Sequence, residues 1–139
     1  MNAEVFLDAN VLLYACSNAP ADRDKQRLAS QLILSARFAL SAQVLQEFIA
    51  NALKKKALGI TEANIDAILE MATYVRVLPI TQELIMSAVI LRRTLSISQW
   101  DSTILAAAQE LGCHTLYSED FNHGQDYGGV RVINPFRTG

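Results

Sequence analysis

Short apolar stretches alternate along this chain with longer amphipathic ones, and that alternation leaves few folds open. "EVFL" (4–7), "RFALS" (37–41), "VRVLPI" (75–80), "HTLYS" (114–118) and "VRVIN" (130–134) have strand length and apolar, β-branched character. Between them lie segments with helical spacing. "ADRDKQRLASQLILSA" places Leu28, Leu32, Ile33 and Ala36 on one face, and "AQVLQEFIANALKKKAL" runs until Gly59. Thr61 opens "TEANIDAILEMATY" as an N-cap, "TQELIMSAVILRRTL" follows, and Gly112 stops "SQWDSTILAAAQELG". Strands separated by helices pair in parallel and need helices to cover the sheet. The expectation is therefore one α/β domain over 1–139, three layers deep, with a mainly parallel five-stranded sheet flanked by helices. "FNHGQDYGG" (121–129) reads as a glycine-rich loop between the last two strands.

A chain of 139 residues, 51% hydrophobic and 19% charged, can bury a core of its own. Its apolar runs are too short to span a bilayer, and its start lacks the pattern of a secretion signal, which predicts a cytoplasmic protein with no membrane partner. Cys16 and Cys113 have no ligand or disulfide spacing and read as small buried hydrophobes. A net charge of −2 gives no global field for nucleic acid, although a protein that gathers carboxylates around a cation can be acidic overall.

The first strand runs directly into a carboxylate, in "VFLDANVLLYA" (5–15). An ionised group leaving water is costly unless it is paired or metal-bound, so Asp8 at a strand end asks for a reason. In open parallel sheets ligands bind beyond the carboxyl ends of the strands, where Asp8 and "SED" (118–120) both fall. Asp101 projects into the apolar face formed by Trp100, Ile104, Leu105, Ala108 and Leu111, so partial burial is expected. It also stands three residues after Ser98, as in a capping box, and cap and ligand roles are both open. Glu47 projects away from Val44, Phe48 and Ala52 and reads by periodicity as a solvated surface residue. Asp120 reads as a turn residue, with Ser118 a capping hydroxyl. Trp100 is expected to pack in the core, and Met71 and Met86 to fill gaps there.

Carboxylates gathered at one sheet edge cannot all stay ionised without a cation, and an all-oxygen set without Cys or His spacing favours Mg²⁺ or Mn²⁺ over Zn²⁺. "VFLDANVLLYA", "LSAQVLQEFIANAL", "SISQWDSTILAAAQELGCHTLYSEDFNHGQ" and "VRVINPF" together resemble the PIN-domain ribonucleases, and among them the toxins of VapBC-type toxin–antitoxin pairs. The likeness spans nearly the whole chain, with four motifs in order. It implies catalytic acids at Asp8, Glu47, Asp101 and Asp120, a metal on Asp8, Asp101 and Asp120 with Glu47 as ligand or base, and supporting roles for Asn10 and Ser118. This chain departs from the family at Ala9, where Thr or Ser is frequent. Glu119 stands beside Asp120, so spacing alone leaves two candidates for the last acid, of which Asp120 is preferred. The resemblance further implies Mg²⁺-dependent endonucleolytic cleavage of RNA (Mn²⁺ as substitute), a homodimer and a cognate antitoxin lying in the active-site groove.

Lys54, Lys55 and Lys56, with Arg92 and Arg93, are candidates for RNA backbone contact, against the plainer role of favourable charge near helix C-termini. Three rivals remain at this stage. A haloacid-dehalogenase-like phosphatase shares the apolar run into Asp8, but Asn10 replaces its second Asp and no Lys follows Lys56. A histidine nuclease would need His114 and His123 in one site. A silent PIN-like binding module for RNA or protein would be expected to have lost its acids.

Overall fold

The computed structural model describes residues 3–137. Its sheet has the strand order β3-β2-β1-β4-β6-β5, with β1 (Val5–Leu7) in the middle. β2 (Phe38–Ser41), β3 (Val77–Leu78), β4 (Thr115–Tyr117) and β6 (Val130–Ile133) all pair in parallel. Phe6, Leu7, Ala39, Leu40, Leu116 and Val132 are fully buried, as strands covered on both faces require. The expected α/β architecture, a mainly parallel sheet flanked by helices, is the one observed.

Among the described residues the sheet has six strands rather than five. β5 (Asp126–Tyr127) pairs antiparallel with β6, inside the segment expected to be loop. Gly128 and Gly129 both take positive φ, 63° and 92°, which is what a tight two-residue hairpin turn demands. Tyr127 is buried and anchors the ribbon, with its ring edge-on to Phe121 at 5.3 Å. A two-residue strand is too short to show periodicity, and its turn signal was legible only as glycine-rich loop.

Helix α1 (Ala9–Cys16) begins immediately after β1, so the apolar run after Asp8 is a buried helix that the sequence reading did not assign. α2 (Arg23–Ser35) and α3 (Ala42–Lys54) pack on α1, and α4 (Glu62–Ala72) adjoins α3. α3 stops at Lys54, and a short 3₁₀ turn (Lys56–Leu58) leads to Gly59 at φ 64°. α5 (Gln82–Leu95) packs along α6 (Gln99–Glu110), which also touches β2, β4 and β6. No helix among the described residues is long and apolar enough to cross a membrane.

Two features of this layout position the site. Chain order runs outward from β1 to β3 on one side and from β4 to β6 on the other, so a crevice opens between the carboxyl ends of β1 and β4. Ser41 and Ser98 accept the N–H groups of Val44 and Asp101, capping α3 and α6.

Candidate functional site at the carboxyl edge of the sheet

Asp8 stands where β1 ends and α1 starts, only 4% exposed. Its backbone N–H still donates across the sheet to Tyr117 O at 3.0 Å, which carries the ladder as far as the crevice. Its carboxylate is held from both sides. Oδ1 accepts from the Ala9 N–H at 2.8 Å, and Oδ2 accepts from the Ser118 hydroxyl at 2.7 Å. Burial nevertheless pushes its pKa up to about 7, against the pull of these two bonds and reinforced by repulsion from Asp120 and Glu47.

Ser118, fully buried at the end of β4, is the hub of this arrangement. It donates to Asp8 and accepts from Asn10 Nδ2 at 3.2 Å and from the Asp120 N–H at 3.1 Å. Asn10, in the first turn of α1, also donates from Nδ2 to Asp120 Oδ2 at 3.2 Å. Its Oδ1 is buried without a hydrogen-bond partner among the described residues. Asp8, Asn10, Ser118 and Asp120 thus form one connected network across the β1–β4 crevice.

Glu119 belongs to a different cluster. Tyr14 donates to its Oε1 at 2.6 Å, and Lys25 pairs with its Oε2 at 3.3 Å. The Lys25 ammonium also lies 4.6 Å from the centre of the Tyr14 ring. Neighbours in sequence are therefore separated in role: Glu119 is clamped to α1 and α2, and Asp120 faces Asp8 and Asn10. Tyr14 and Lys25 were missed in the sequence because their partner is a hundred residues away and neither motif nor period connects them.

Asp101 is half-buried in the first turn of α6. Ser98 takes its backbone N–H, and burial together with repulsion from Asp120 raises the carboxyl pKa although Ser98 opposes the shift. The Ser98 cap is thus made through the Asp101 backbone N–H, and the carboxyl group feels the charge of Asp120. Glu47 is half-buried rather than fully solvated. One helical turn before it, the buried Gln43 donates to Glu47 Oε1 and to Trp100 O, each at 3.0 Å, tying α3 to the start of α6. Gln43 was also missed, although its spacing from Glu47 is the ordinary i, i+4 contact distance on a helix.

The basic candidates divide. Lys55 lines a small cavity with Asn10, Tyr14 and Glu119, beside the network. Lys54, Lys56 and Arg93 are exposed, and Arg92 donates to Gln99 Oε1 at 3.0 Å. His114 precedes β4 at the opposite end of the sheet from Asp8, and His123 Nδ1 accepts from the Asn134 N–H, so no two-histidine site forms. Trp100 is 71% exposed and Met86 60% exposed, contrary to the core positions expected of them. Helical periodicity gave Trp100 the right neighbours, but at the first turn the face it occupies has no layer above it. Cys113 is buried and Cys16 half-buried, both free.

Asp8 is thus coupled electrostatically to Asp120 and Glu47, and Asp101 to Asp120. They line the crevice rather than closing a cage: among the described residues no three Asp, Glu, His or Cys side chains are grouped tightly enough to hold an ion unaided.

The family model for the PIN domain matches residues 5–125. No curated protein sequence matches the chain closely. Among solved structures, a toxin–antitoxin complex from Klebsiella pneumoniae is similar at 20% identity and TM-score 0.67, covering 96% of this chain and 99% of its own. VapC20 of Mycobacterium tuberculosis, described as a sarcin–ricin loop cleaving toxin, aligns at 22% identity and TM-score 0.68, over 85% of this chain and 91% of its own. VapBC2 of Rickettsia felis, bound to a promoter DNA fragment, gives 19% identity and TM-score 0.64, over 94% and 97%. With a family match over most of its length, this chain belongs to the PIN-domain family.

Proposed function

We propose that the protein is a metal-dependent endoribonuclease and the toxin of a VapBC-type pair. The observation that carries this reading is Asp8, a carboxylate buried in a built network with two further acids, Asp120 and Glu47, in reach of its charge, and Asp101 in turn in reach of Asp120. A group with that environment is disfavoured as an anion until a cation joins it. The donor set fits Mg²⁺, or Mn²⁺ in its place: it is all oxygen, it is open on one side, and Mg²⁺ is ordinarily held by one or two carboxylates with waters and substrate phosphate completing its shell. Asp8, Asp101 and Asp120 would hold the ion, which when bound neutralises charge on the scissile phosphate and acidifies water.

The chain's own residues supply the rest. Glu47, oriented by Gln43, serves as a further ligand or as the base that takes the proton of the attacking water. Oxygen–phosphorus bond formation is matched by cleavage of the bond to the leaving ribose oxygen, which takes up a proton. Asn10 and Ser118 fix the carboxylates that face the phosphate. Lys55, beside Asn10, offers a cation for the RNA backbone. A small cognate antitoxin occupying this groove, a homodimeric assembly and a cytoplasmic location complete the proposal, in keeping with the toxin–antitoxin complexes that share the fold.

Incubation of purified protein with mixed RNA, in Mg²⁺, in Mn²⁺ and in EDTA, alongside Asp8→Asn, tests it. Cleavage that needs the metal and disappears in the variant is expected. RNA binding without cleavage under every metal condition would overturn the nuclease reading in favour of a binding module.

A further inference from the structure

Asp120 has little of its own to hold it in place. It is exposed, it lies beyond the end of β4, and among the described residues its carboxylate accepts from one side chain, Asn10 Nδ2 at 3.2 Å. Its neighbour Glu119 is held far more firmly. The Tyr14 hydroxyl donates to Oε1 at 2.6 Å, and the Lys25 ammonium reaches Oε2 at 3.3 Å and the Tyr14 oxygen at 3.2 Å. That ammonium lies 4.6 Å and 5.9 Å from the ring centres of Tyr14 and Phe136, which meet edge-on at 4.8 Å.

Lys25–Glu119 is the one ion pair among the described residues. An isolated surface pair contributes little, but this one is built into two aromatic rings and a short hydroxyl bond. It also shares its support with the carboxylate network. Asn10 and Tyr14 stand at i and i+4 on α1, and so on one face of that helix. Asn10 takes Asp120, and one turn later Tyr14 takes Glu119. Val11 and Leu12, fully buried between them, anchor α1 in the core. The peptide between the two acids is therefore restrained at both ends, with the stronger hold on Glu119.

We infer that Tyr14, Lys25 and Glu119 are positioning residues for Asp120: by clamping Glu119 to α1 and α2 they hold the Asp120 carboxylate ready to join Asp8 in taking up a divalent cation. The inference rests on the nuclease reading and deepens it, since it gives Glu119 the task of holding the site and leaves the ion to Asp120. A carboxylate free to rotate must be ordered when the ion arrives, and that cost is subtracted from affinity. Metal sites weaken when the groups that orient their ligands are removed.

The test is Mn²⁺ binding to the full-length protein without RNA, followed by electron paramagnetic resonance, which reads affinity and not turnover. Tyr14→Phe leaves the charge unchanged and should weaken binding roughly two- to tenfold. Tyr14→Phe combined with Lys25→Met frees Glu119 and should weaken it roughly ten- to hundredfold. The sign is decisive, because charge alone predicts the opposite: removing a cation near the site should tighten the binding of another. Lys25→Arg keeps the pair and should stay near wild type. Thermal melts in EDTA report the folding of each variant separately. Unchanged or tighter Mn²⁺ binding in the folded double variant would overturn the inference, as would a lowered melting temperature with unchanged affinity. Should the double variant not fold, wild-type affinity in Tyr14→Phe would overturn it alone. A wild type that binds no Mn²⁺ would remove the metal site itself, whereas normal wild-type binding with no loss in the variants removes only the clamp. The nuclease reading fails on a different result, the absence of metal-dependent RNA cleavage by the wild type.

Discussion

The carboxyl end of β1 and the outer face of α5 use the same chain in opposite ways. At β1 a charged residue is buried and nearly every polar atom around it is engaged: Asp8 by Ala9 and Ser118, Asp120 by Asn10. Along α5 the apolar residues Ile85, Met86 and Ile90 are exposed, continuing from Trp100 and Ile80. A polar group inside costs free energy that the fold must offset, whereas an apolar group outside merely forgoes burial. The first region is therefore strained toward a ligand that carries charge, and the second is available for one that does not. Substitutions in the two regions should differ in size and in the sign of their effect on stability.

Asp8→Asn should give the largest change. The folded-state pKa of Asp8 is about 7, above the ordinary 3.8, so the protonated form is favoured in the fold. Its contribution is fully present below pH 3.8 and is lost as pH rises through about 7. Without divalent cation, the wild type should lose thermal stability between pH 5 and 8, and Mg²⁺ should reverse that loss. Asn cannot ionise, so the variant should be flat over this window and more stable than wild type at pH 8 by on the order of 3 kcal/mol. Calorimetric melts across pH, with EDTA and with Mg²⁺, decide it. A variant less stable than wild type at pH 8 in EDTA would show that the carboxylate is already compensated.

Ser118→Ala comes next. It removes a buried hydroxyl with three partners, leaving Asn10, Asp120 and Asp8 each short of a bond, for a loss of about 1–3 kcal/mol. The Ser118 bond holds the Asp8 pKa down, so its removal should move the acid limb of the pH–rate profile to higher pH. An unmoved limb with lowered stability would reduce Ser118 to a structural part. Tyr14→Phe should act more weakly, because the Lys25–Glu119 pair at 3.3 Å survives it. A fall of a few-fold in kcat is expected, with the fold intact by circular dichroism.

What the sequence displayed and what it concealed divide along the same line. Strand and helix alternation was legible because burial imposes a period on each segment, and Asp8 was legible because a charge breaks that pattern. Glu47 pointed to solvent by period and needed the resemblance, since a crevice is wet and a helix wheel does not distinguish crevice from surface. Tyr14, Lys25 and Glu119 meet only through the fold, which no local pattern encodes. Trp100 shows the converse error. Its neighbours on the wheel are buried, but the wheel gives a direction and not the distance to the next layer.

The smallest effect belongs to the outer face. Met86 and Ile90 are 60% and 65% exposed, so Met86→Lys and Ile90→Lys remove little buried surface and should change stability by no more than about 0.5 kcal/mol. On α5 they stand clear of the Asp8–Ser118 network, and metal-dependent cleavage should retain its kcat and its pH profile. A contiguous apolar stripe nevertheless lowers solubility or invites association. The informative readout is therefore sedimentation, with chemical denaturation as its control. If either lysine lowers the midpoint by several kcal/mol, the stripe is covered in solution and the contrast with β1 fails. If both leave folding untouched and change only the sedimenting mass, the two regions are separate in energy: one holds the buried charge on which the proposed chemistry rests, and the other governs which surfaces the folded protein meets.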